Sequence, residues 1–335
     1  MYISNICNLT QLASLGYNLQ CTERPVTMVF ESYRKYSMYY ILLFRDIESM
    51  YFGGNLLEFA SEKTKISNEI VYVNGNEFKE YVKSNIEANK KMIIYSDLYW
   101  NNRYAAFYKS THHIHPILLK AYDDANDKML VIDENLDELR QSDKYYFWPY
   151  TEQNVDINFL EKVCAHWENE GQKKLYQICE FSAKNNQAVR LERILSDFKN
   201  MLSIINMEIL GSEDTFLNKF TCSILEENTK VITERGRIYI YNHNKALNRL
   251  FRLFMCLLKD NPELCDELSE LGNNIKNLYE KYYLSLVKNM KKSNQGIKID
   301  RLHDIYMIEK RFYSFLENAV IEEESIITML KRYAL

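Results

Sequence analysis

The stretch THHIHPILLKAYDDANDKMLVIDE, residues 111–134, holds three of the chain's six histidines within four positions. His113 and His115 are two apart, so on a strand both would share one face, as paired metal ligands do. A metal would need further ligands, for which Asp123, Asp124 and Asp133 stand nearby. An imidazole set against an acid can instead serve a nucleophile as its base. Histidines can also simply cap and pack the end of a strand. The residues of this stretch leave all three chemistries open.

A nucleophile for such a base would have to be a cysteine or serine at a helix start, where unpaired amides and the helix dipole favour a thiolate. The opening SNIC puts Ser4 or Asn5 at a cap and Cys7 in the first turn of an apolar helix, CNLTQLASLGYNL, that ends near Gly16. Cys164, Cys179 and Cys256 fall on helical apolar stripes and read as small buried residues.

Together these parts form a papain-like arrangement: a thiol that attacks, an imidazole that moves the proton, and an acid that fixes the ring. His115 opens HPILLKAY and Asp133 closes KMLVID. The polar turn DDANDK between them predicts a hairpin that brings those two strand ends together.

The run IIYSDLYWNNRYAAFYKSTHHIHPILLKAYDDANDKMLVIDEN resembles the signature of the butirosin-pathway acyltransferase family: a D-x-Y segment, a His-rich motif, an apolar strand, a Tyr-Asp turn and a strand ending in Asp. The resemblance covers residues 5–150. It implies a papain-like fold used to move an acyl or aminoacyl group, a β-alanyl unit among the candidates, from a carrier-protein thioester to an amine in natural-product assembly. By the same resemblance Cys7 is the nucleophile, His115 the general base and acid, and Asp133 its orienter. Asp97 and Tyr99 match the D-x-Y segment, with a pocket-building role, and His113 is placed towards substrate. Papain-like peptidases keep an oxyanion-binding Gln about six residues before the cysteine. Met1 stands there, which leaves the Cys7 amide with Asn5 or Asn8 as donors. No cofactor of the protein's own is implied; the phosphopantetheine arm comes with the acyl or peptidyl carrier protein, and the acceptor is a small or carrier-bound amine. Two other readings remain: a peptidase or thioesterase with water as acceptor, and a catalytically dead binding protein on the same fold.

These residues need a scaffold. Short runs rich in Ile, Val and Tyr at 68–73, 91–100, 115–122, 128–133 and 144–150 predict strands, with a helix over 76–89 between the first two. After residue 150 the apolar period becomes helical: Leu160, Val163, Cys164 and Trp167; Leu191 to Ile209; Leu247 to Leu257; Leu264 to Tyr282; and Ile299 towards Leu330. Only TKVITERGRIYIYN at 229–242 reads as strand there. The expectation is an α+β protein: a papain-like catalytic domain with a central antiparallel sheet over 1–150, and a mainly helical lid and carrier-docking domain over 151–335. Arg190, Arg193, Arg249 and Arg252 recur at helical spacing and could offer an acidic carrier a basic patch.

With 335 residues and 47% hydrophobic content the chain can bury a sizeable core. A net charge of −4 without a basic block argues against nucleic acid. The longest apolar run, YSMYYILLF, is about half of what a bilayer crossing needs, so no membrane partner is expected. Seven cysteines without a C-x-x-C pair suit reduced thiols and a cytoplasmic setting rather than a disulfide framework.

Overall fold

The computed structural model describes residues 2–3, 23–48, 51, 55–104, 107–134, 150–164, 175–184, 187–209, 244–290, 300–320 and 323–333. The Cys7 helix and the strand expectations at 144–149 and 229–242 lie outside these residues. Its strands are β1 (Tyr2–Ile3), β2 (Ile66–Asn74), β3 (Lys91–Asp97), β4 (Ile114–Asp123), β5 (Lys128–Glu134), β6 (Tyr150–Asp156) and β7 (Leu175–Ala183). They form one antiparallel sheet in the order β2-β7-β3-β4-β5-β6, with β1 beside the far end of β4. The chain is thus a mixed α+β protein.

The helices are α1 (Glu23–Tyr33), α2 (Met38–Ile47), α3 (Leu56–Thr64), α4 (Phe78–Glu87), α5 (Ile157–Cys164), α6 (Leu191–Ile204), α7 over 244–257, α8 (Pro262–Met290), α9 (Asp300–Ala319) and α10 (Glu323–Tyr333). None among the described residues is long and apolar enough to cross a membrane. Strand alternation divides them between two cores. Ile93, Leu118, Ile132 and Cys179 face a large core shared with α1, α2 and the helices beyond residue 190. Met92, Ile94, Ile117, Leu119 and Val131 face a smaller one capped by α4 and α5.

Two features depart from the sequence reading. The region after residue 150 supplies β6 and β7, and β7 lies inside the sheet, between β2 and β3. The change to a helical period therefore does not coincide with the end of the sheet. YQICEF, buried on both faces, shows no clean alternation and was masked by the helical stripes around it; its Cys179 is buried, on a strand rather than a helix. The run containing YYILLF is α2, apolar on all sides because it is buried on all sides.

Arg249 also departs from expectation. It is buried, and its guanidinium holds Asp46 of α2 through two hydrogen bonds, one from Nε at 2.9 Å. It cannot belong to a surface patch, because a buried carboxylate on α2 needs it as counter-ion. Arg190, Arg193 and Arg252 are exposed.

Candidate active site

The β4–β5 ladder sets the geometry. Its last rung is Leu118 opposite Ile132. Continuing that register puts Asp133 level with Ile117 and makes His115 its diagonal neighbour on the same face, within reach of a long side chain. Pro116, which lacks an N–H, falls just beyond the β4–β5 pairing while staying in register with Tyr95 of β3.

The imidazole closes the gap. His115 Nε2 lies 2.7 Å from Asp133 Oδ1, with the two side chains 2% and 1% exposed. An ionised Asp133 accepts here, so Nε2 carries the hydrogen and Nδ1 the lone pair, which makes Nδ1 the basic nitrogen. Asp133 Oδ1 also accepts from the backbone N–H of Glu134 at 2.8 Å. On β3, the buried Ser96 hydroxyl donates to the His115 carbonyl at 2.9 Å and fixes the start of β4.

Sequence reasoning missed two members of this cluster. The Tyr104 hydroxyl sits 3.1 Å from His115 Nε2, 3.3 Å from Asp133 Oδ1 and 3.4 Å from Glu134 Oε2. Tyr104 comes from the turn after β3, where its backbone N–H donates to Asn101 O at 3.0 Å. No spacing in the sequence marks it. Glu134 was visible beside Asp133, but neighbours on a strand point to opposite faces. Only a group reaching around the strand end, as Tyr104 does, can join them. Gln153 on β6 donates through Nε2 to the Glu134 carbonyl at 3.0 Å and also bonds the Arg103 guanidinium. Arg103 Nη1 lies 3.9 Å from Asp133 Oδ2.

The other two histidines of this stretch do other work. His112 Nδ1 is 2.6 Å from Asp97 Oδ2, and its exposed ring stacks on Tyr99 with centroids 4.2 Å apart. Asp97 Oδ1 accepts from the backbone N–H groups of Tyr99 at 3.0 Å and His113 at 3.2 Å. Asp97 and Tyr99 therefore knit the loop that leads into β4. The His113 ring stacks on Phe107, with centroids 5.0 Å apart. Among the described residues no cluster of three or more His, Cys, Asp and Glu side chains could hold a metal ion.

Cys7 and Asn8 lie outside the described residues. The described cysteines are poor nucleophiles. Burial pushes the Cys164 thiol, which lies near Asp133 on α5, far above its ordinary value, and pushes Cys179 up to about 12.

The N-terminal turn of helix α1 lies on the Glu134 face of the sheet, opposite the face that carries His115 and Asp133. At its other end the Tyr33 hydroxyl accepts from Lys91 N and donates to Phe181 O, beside the start of β3. From there β3 runs towards Asp97 and the His115 end of β4. At the first turn of α1, Arg24 is close enough to Glu134 to favour its ionised form. Glu23 is anchored by an ion pair to Arg45, next to the Asp46–Arg249 pair.

No protein-family model matches the chain, and a search of curated proteins returns no significant match.

Proposed function

We propose that the protein is a cysteine-dependent, amide-forming acyltransferase whose general base is His115, oriented by Asp133. The 2.7 Å bond between them carries this reading. A thiolate would attack the thioester carbonyl of a carrier-bound acyl group, forming an enzyme thioester. The phosphopantetheine sulfur would leave with the proton held on His115. An amine would then attack the enzyme thioester, give its proton to His115 and release the cysteine. Burial of the pair favours this outcome over hydrolysis, because aminolysis needs water kept scarce. The exposed Arg190, Arg193 and Arg252 are the candidate contacts for an acidic carrier.

Two thiols compete for the first step. Ile3 lies opposite Ala121, and His115 is six residues along β4, roughly 20 Å away. Cys7 follows Ile3 by four residues in the sequence. Cys21 precedes α1 by two residues in the sequence. Cys21 stands as a second candidate beside Cys7.

Intact-mass analysis of Cys7→Ala and Cys21→Ala after exposure to an aminoacyl N-acetylcysteamine thioester tests both assignments. The variant that loses the adduct identifies the nucleophile. An adduct retained in both would exclude both thiols.

A further inference from the structure

Glu134 is 2% exposed and has no part in the chemistry above, yet it shares the Tyr104 hydroxyl with the catalytic pair. That hydroxyl has one hydrogen, and among the described residues three groups lie around it: His115 Nε2, Asp133 Oδ1 and Glu134 Oε2. The Nε2 hydrogen already goes to Asp133, so among these groups the hydroxyl can donate to either carboxyl.

We propose that Glu134 is a positioning residue which, through Tyr104, sets how readily His115 takes a proton. When Glu134 is neutral, its own hydrogen can go to the Tyr104 oxygen, and the hydroxyl donates to Asp133. That bond draws charge from the oxygen that holds the His115 ring, and the ring becomes less basic. When Glu134 is ionised, it takes the hydroxyl for itself. Asp133 then serves His115 alone, and the added negative charge favours the imidazolium. Ionisation of Glu134 and protonation of His115 thus support each other, so the two titrate as a coupled pair.

The surroundings suit a group that changes charge near neutrality. Burial raises the Glu134 carboxyl to about 7. His115 on β4 opposes that rise, Asp133 on β5 adds to it, and Arg24 on α1 and the Tyr104 hydroxyl oppose it. Arg103 stands on the far side of Asp133.

This inference rests on the catalytic reading of the pair, but its test reads ring protonation rather than turnover. The ring ¹⁵N shifts of His115 are followed against pH in the wild type, Glu134→Gln and Tyr104→Phe. The resonance is assigned by its absence in His115→Ala. The wild type should titrate in two coupled steps. Glu134→Gln should give one step, with His115 holding its proton about threefold or more less tightly. Tyr104→Phe should weaken the second step. Superimposed curves for the wild type and Glu134→Gln would overturn the proposal. If Glu134→Gln fails to fold, a single wild-type step unchanged in Tyr104→Phe would overturn it as well. Acyl-adduct formation is scored separately: two steps without an adduct would remove the acyltransferase and keep the linkage.

Discussion

Asp133 lies one residue beyond the last rung of the β4–β5 ladder, yet its Oδ1 holds His115 Nε2 at 2.7 Å. The ladder has to end there for the imidazole to turn across to its diagonal neighbour. An acid so placed orients the ring and stabilises its charged form without giving up a proton. Asp133→Asn should therefore fold, still form some acyl adduct, and turn over roughly 10²-fold or more slowly. Single-turnover kinetics separate the two effects. An unchanged rate of acyl transfer would remove Asp133 from the mechanism.

The thiols should divide by environment. Cys164 and Cys179 are buried with their thiols pushed up, so iodoacetamide at neutral pH should spare both until the protein unfolds. A thiol paired with His115 should react far faster than a free cysteine. Peptide mapping after brief alkylation reads both. Early modification of Cys164 would contradict the buried placement of α5.

Arg249 distinguishes a structural ion pair from a docking contact. Arg249→Ala leaves Asp46 buried without its partner and should cost about 3–5 kcal/mol of stability, read from urea unfolding. Arg193→Ala, on an exposed face of α6, should change stability by less than about 0.5 kcal/mol while weakening carrier binding. A stable Arg249→Ala with weakened carrier binding would restore the patch in its original form.

Stability should fall towards neutral pH. Burial raises both Glu31 and Glu134 to about 7 from an ordinary 4.5. Each binds its proton more tightly in the folded chain than in the unfolded one. Their contribution is complete below about pH 4.5 and is lost as the pH rises through about 7. Urea midpoints measured from pH 4.5 to 8 should decline in the wild type and decline less in the Glu31→Gln, Glu134→Gln double variant. Parallel curves would place the buried charge elsewhere.

The hairpin was legible because its signals are local: alternation in β4 and β5, a polar turn, and a histidine and an acid at matching strand ends. The His115–Asp133 contact followed from those alone. Tyr104 and Glu134 were not legible, because their meeting depends on a turn that wraps the strand end and carries no period of its own. The inner strand β7 was hidden for a related reason. A strand buried on both faces loses its alternation, and its flanking segments are helical. Arg249 was misplaced because spacing reveals a helical face but not what packs against it; Asp46 lies 203 positions away.

The central claim is that His115 and Asp133 serve a cysteine which carries an acyl group. Its most direct test is intact-mass analysis of the wild type and His115→Ala after incubation with an aminoacyl-loaded carrier protein, followed by peptide mapping of any adduct. The account predicts one acyl group on a single cysteine in the wild type, none in His115→Ala, and its discharge when an amine is added. A wild type that stays unmodified, or an adduct formed equally well without His115, would contradict it.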